Sequence, residues 1–221
     1  MDSTNIIQNI LIYALPVLLA ITVHEAAHGY AARHFGDNTA YALGRITLNP
    51  IKHIDPIGTI AMPLMLLFAG SPFLFGYAKP VPVQFGNLRN PKRDMIWVAL
   101  AGPASNLVMA LMWGIVYYLL QGAEVSEPFF NKMAQGGILV NAVMFAFNLF
   151  PLPPLDGGRI LVGLLPYKYA ELASRVEPWG FFIVLGLVVV GVINAIWMTP
   201  MMNVTYGLID LVLSPLSMLV K

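Results

Sequence analysis

The sequence predicts an all-α polytopic membrane protein of about five transmembrane helices, with a re-entrant segment and short β-strands or hairpins near the cytoplasmic face. Three observations carry this expectation. Hydrophobic residues make up 58% of the 221 positions, against roughly 45–50% in soluble domains. Mean hydropathy is +0.73. Charged residues are only 10%, where a soluble domain carries about 25%, so polar side chain is too scarce to clothe a water-facing surface.

The elements follow in order. From Ile6 to Ala32 the chain is apolar apart from Gln8, Asn9, Thr22 and the cluster His24-Glu25-Ala26-Ala27-His28, long enough to cross ~30 Å of hydrocarbon. Pro16 can kink that helix without preventing insertion. Tyr41 to Pro50 shows short alternation and predicts a strand or hairpin. Pro56 to Gly70 is apolar, interrupted by Pro63 and closed by Gly70-Ser71-Pro72; its marginal length predicts a re-entrant hairpin over residues 56–76. Val81 to Phe85 alternates between prolines and suits an edge strand or an extended segment. Asp94–Gln121, Gly136–Phe150, Trp179–Trp197 and Met202–Leu219 are the remaining membrane-length runs, with Trp197 and Pro200 marking a boundary between the last two.

These elements read as one membrane-embedded domain over residues 1–221, with a core at about 6–165 and C-terminal helices at about 178–221. Arg33, Arg45 and Lys52 follow the first helix, and Lys79, Arg89, Lys92 and Arg93 precede the third apolar run, which predicts that both loops are cytoplasmic. The N-terminus lacks a basic n-region, so no cleaved signal peptide is expected.

Composition also restricts the chemistry. A net charge of +1 argues against nucleic acid as a partner. With no cysteine there are no disulfides or thiolate ligands, and the four histidines are His24, His28, His34 and His53. On a helix, His24 and His28 lie about 6 Å apart along the axis on one face, so both imidazoles reach one ion. Glu25, one position on, stands beside the metal, placed to take a proton from water and pass it to a leaving amine. A glutamate and two histidines beside the apolar Ile10–Val23 stretch are costly to bury without an ion or a water pocket.

Catalytic zinc takes three protein ligands and keeps an open position. Asp156 is the candidate for the third, set in Asn148-Leu149-Phe150-Pro151-Leu152-Pro153-Pro154-Leu155-Asp156-Gly157-Gly158-Arg159. The prolines break the helix and the glycines admit close backbone approach. An N-cap for the helix that follows is the alternative role, and the two can coexist.

The HEAAH helix with NLFPLPPLDGGR far downstream resembles the site-2 protease family of intramembrane zinc metalloproteases. Residues 44–50, 52–56, 78–83 and 101–106 also resemble its compact bacterial members, without an inserted PDZ domain. The resemblance implies one Zn2+ held by His24, His28 and Asp156, with Glu25 as acid and base. It further implies a contribution from Asn148, whose amide orients the substrate carbonyl or else bonds a neighbouring helix. Transmembrane protein substrates, a regulatory membrane partner and a place in the bacterial cell membrane, active site toward the cytoplasm, are expected with it.

Extended segments around Arg45, Thr47 and Asn49, and around Val83, can pair with an unwound substrate by strand addition, or can be plain connections. Asn106 either glues helices or touches substrate. His53 gates the site, binds a second metal, or is solvated or locally hydrogen-bonded; His34 is expected at the interface. A metal transporter and a catalytically silent relative are the competing readings. The acid beside two histidines argues against the first, and the intact His, Glu, His and Asp set against the second.

Overall fold

The computed structural model describes residues 3–68 and 76–219, and among them the chain is helical with no strand. The helices are α1 (Ser3–His34), α2 (Thr39–Ala42), α3 (Met62–Phe68), α4 (Pro91–Gly122), α5 (Pro128–Asn148), α6 (Asp156–Leu164), α7 (Tyr167–Ser174), α8 (Glu177–Val189) and α9 (Thr199–Leu219). Among the described residues three helical stretches are long and apolar enough to cross a membrane: Ile10–His34, Pro91–Gly122 and Asn194–Met218. A fourth would form if α7 and α8, bent by 66° at their junction, acted together.

The helix α4 is central and packs against α1, α5, α6 and α9. Small residues line these crossings. Ala20 and Ala26 of α1, Ala110 of α4, and Ala142 and Ala146 of α5 are buried, which lets backbones approach where lipid supplies no hydrophobic drive of its own. Outward-facing Ile10, Leu11, Leu15 and Leu18 of α1 stay exposed, an apolar surface suited to acyl chains.

Several expectations need correction. Most of Gly136–Phe150 is the second half of the longer helix α5, which ends at Asn148 and whose first half carries Asn131, Lys132 and Gln135; with those polar residues α5 is not among the three stretches above. The run Trp179–Trp197 is broken at Gly191, which adopts φ +79°, so the boundary lies ahead of Trp197 and Pro200. Trp197 continues toward α9 and donates its indole N–H to the Ala146 carbonyl of α5 at 2.8 Å.

No strand forms among the described residues. Residues 76–84 run extended, as a strap, the second of the two forms expected of Val81 to Phe85, and their backbone donors do not enter a ladder. Pro80 and Pro82 have none, Val81 N–H goes to Glu25 at 2.7 Å, and Gln84 N–H goes to Asp37 at 2.7 Å. Around Arg45 to Asn49 the backbone closes local turns, Arg45 N–H bonding Ala40 O and Asn49 N–H bonding Thr47 Oγ1.

The segment expected to be re-entrant has its two ends tied together. Tyr77 N–H donates to Gly58 O at 3.1 Å and Thr59 Oγ1 donates to Tyr77 O at 2.9 Å, so the chain returns to the point it left. The apex of the expected hairpin, residues 69–75, lies outside the described residues.

Asp37, just past α1, fastens the far end of the strap. Its buried carboxylate accepts from Thr39 N–H and Oγ1–H, Gln84 N–H and the Asn87 amide. Burial alone would raise its pKa, but these donors outweigh it and hold the carboxyl below the ordinary range. A depressed folded-state pKa gives stability that is present above the unfolded value of ~3.9 and lost as pH falls through the folded one. Thermal melting in detergent is therefore expected to be level in this respect down to about pH 4 and to fall below it. Asp37→Asn should melt lower at neutral pH and lose less on acidification; an unchanged acid response in the variant would assign the loss to other carboxylates.

Candidate metal centre

Three elements converge on one point. His24 and His28 come from the C-terminal half of α1, Val98 and Gly102 from the N-terminal half of α4, and Asp156 from the first turn of α6. All belong to one end of the bundle, because α1 and α5 finish where α4 begins. Asp156 follows the N-cap Leu155 and makes no capping bond; its carboxylate turns toward the histidines. The glycines behind it are needed for that approach. A Cβ at Gly157 would lie 2.1 Å from Leu149 O, and one at Gly158 2.0 Å from Pro153 N.

The two imidazoles are oriented through their other nitrogens. His28 Nδ1 lies 2.8 Å from Val98 O, which can only accept, so that nitrogen carries the proton. His24 Nδ1 lies 2.6 Å from Asn106 Oδ1. The Asn106 amide group donates in turn to Asn141 Oδ1 at 3.0 Å and Ala20 O at 3.3 Å, which fixes its oxygen toward His24. Both Nε2 atoms are thereby left with their lone pairs facing inward.

Those lone pairs meet a third. The two Nε2 atoms are 3.1 Å apart and lie 3.3 and 3.4 Å from Asp156 Oδ2, which is buried and has no hydrogen-bond donor. Three acceptors so placed repel one another unless a cation sits among them. The edges of this triangle fit zinc, since tetrahedral bonds of ~2.0–2.1 Å separate neighbouring ligand atoms by ~3.3–3.4 Å. The group is one that can hold a metal ion.

Space for it is kept by Gly102. A Cβ there would stand 2.4 Å from His28 Nε2 and 2.7 Å from His24 Cε1. Glu25 lines the same cavity of about 360 Å³, together with Asn148, Val83, Tyr77 and Arg159.

Over 194 residues the chain is 39% identical to a Bacillus subtilis protein named "Putative zinc metalloprotease YwhC", covering 86% of this chain and 84% of that one. The chain belongs to the site-2 protease family. Other relatives are "Putative zinc metalloprotease Rip2" of Mycolicibacterium smegmatis, 31% identical over 80% of this chain and 66% of its own, and "Zinc metalloprotease MJ0392" of Methanocaldococcus jannaschii, 24% identical over 77% and 40%. No family model matches the chain, and no solved structure does.

The remaining sequence-predicted residues divide. Asn148 lines the cavity, and its amide group donates one N–H to Met144 O of its own helix at 2.9 Å, a bond that orients the group and leaves its second N–H to act on a substrate. Val83 also lines the cavity, whereas Arg45, Thr47 and Asn49 do not. Asn106 is wholly buried behind His24 and away from the cavity, which makes it a support of that histidine. His53 is neither solvated nor beside the metal group: it is 1% exposed, and its Nε2 lies 2.9 Å from Thr47 O. His34 is exposed at the end of α1, its ring 5.0 Å from that of Phe35. Two contributors escaped the sequence reading. Arg159 follows Asp156 by one helical turn, a spacing that signals a shared face; the Val81 N–H on Glu25 is a backbone group and leaves no local signal.

Proposed function

We infer that the chain is an intramembrane zinc endopeptidase, hydrolysing peptide bonds in or near transmembrane segments of other membrane proteins. The observation that carries this reading is the inward-facing triangle of His24 Nε2, His28 Nε2 and Asp156 Oδ2, with Glu25 beside it on an apolar helix. One Zn2+ held there supplies a Lewis acid that polarises the scissile carbonyl and acidifies water. Glu25 does the proton work. Its Oε2 is held by Val81 N–H at 2.7 Å, so Oε1 is the oxygen that takes a proton from the attacking water. The hydroxyl joins the carbonyl carbon, and Glu25 returns the proton to the amide nitrogen as the C–N bond breaks. Asn148, held through one N–H by Met144 O, donates its second to the developing oxyanion.

The basic loops after α1 and before α4 favour a bacterial plasma membrane with this end of the bundle at the cytoplasmic side. Regulated intramembrane proteolysis, with a membrane partner controlling access, fits a cavity roofed by the strap. The test is cleavage of a model transmembrane substrate by purified protein in detergent. Glu25→Gln is expected to lower the rate about 10³-fold while retaining one zinc per chain. Equal cleavage by the variant would overturn the reading.

A further inference from the structure

The strap that roofs the cavity has a register problem. In Pro80-Val81-Pro82 only the middle residue has an N–H, so a slip of one residue in either direction would present a proline to Glu25. No strand ladder fixes the register.

Its placement is set from one side by the turn after α2. Arg45 Nη2 donates to Lys79 O at 3.2 Å and to Pro80 O at 3.3 Å, the two carbonyls immediately before Val81 N–H. Lys79 N–H donates to His53 O at 2.9 Å, and the buried His53 ring bonds Thr47 O, which braces the same turn. The guanidinium therefore holds the peptide units that precede the one bonded to the acid–base carboxylate.

We propose that Arg45 is a positioning residue for Glu25: it fixes the register of the strap so that Val81 N–H, and not a proline, meets the carboxylate. This rests on the protease reading for the consequence in catalysis, but the contact itself stands on geometry alone. Arg45 touches neither the metal group nor the cavity, so its effect passes through the strap.

The experiment compares full-length wild type with Arg45→Met, which keeps the apolar stem and removes the guanidinium, and with Arg45→Lys, which keeps the charge and N–H donors on a shorter stem. Hydrogen exchange of peptides covering residues 76–84 is expected to quicken at least tenfold in Arg45→Met, with α4 and α5 as protected as in wild type and zinc content unchanged. The kcat on a transmembrane substrate should fall about tenfold with KM altered less than twofold, and Arg45→Lys should recover most of both. Wild-type exchange in the strap of a folded Arg45→Met overturns the proposal. So does a loosened strap with unchanged kcat. Were the wild type inactive on every peptide, the protease reading would fall, and strap exchange would still decide whether Arg45 sets the contact on Glu25.

Discussion

Gly102→Ala is expected to yield a folded bundle that holds no zinc. The added methyl group would stand 2.4 Å from His28 Nε2, 2.5 Å from His28 Cε1 and 2.7 Å from His24 Cε1, all far inside van der Waals contact. Neither ring can retreat at low cost, because each is tied through Nδ1, His24 to Asn106 and His28 to Val98 O. The imidazoles must turn away, and the three-atom triangle opens. Alanine is otherwise a better helix former than glycine by about 1 kcal/mol, so α4 itself gains. The measurement is zinc per chain by elemental analysis beside helicity by circular dichroism. Stoichiometric zinc in a well-folded Gly102→Ala would mean that the metal sits elsewhere.

Asp156→Ala is expected to weaken zinc binding about 10³-fold, as one of three protein ligands is lost from a site whose kind brings ~10–16 kcal/mol. Its signature in stability is the response to metal: zinc should raise the melting temperature of the wild type, where Asp156 Oδ2 lies 3.3 and 3.4 Å from the two Nε2 atoms, and leave that of the variant nearly unchanged. Equal stabilisation of both proteins by zinc would show that the carboxylate is not a ligand.

The metal group was legible because its chemistry is compressed into short range: two histidines four apart on an apolar helix, and one aspartate between broken helix and glycines. The helical character and the long apolar spans were legible for a related reason, since lipid demands internally satisfied backbone. Of the strap, the extended backbone was legible but not the choice between strand and free segment. Its alternation between prolines fits either, and strand formation depends on where N–H groups find acceptors. Here the acceptors are carboxylates 56 and 47 residues away, on Glu25 and Asp37. Arg45, Thr47 and Asn49 were read as a substrate edge or a plain connection; their backbone closes local turns, which no pattern of alternation along the chain announces. Asn106 shows a different limit. Its polarity at lipid depth marked it as bonded to another helix, but nothing along the chain says that the partner is His24. The break at Gly191 had little to mark it, since Gly180 and Gly186 in the same run sit inside α8 and do not break it.

The line of bonds from His24 through Asn106 and Asn141 to Gly137 O joins α1, α4 and α5 below the metal group. It makes the site a property of docking. A nascent chain that has inserted only α1 holds two histidines free to turn, and one halted after α5 still has no carboxylate to offer. On the protease reading, hydrolytic competence arrives late in biogenesis, after three helices have keyed together and α6 has followed, and until then the chain sits among other newly inserted proteins without cutting them.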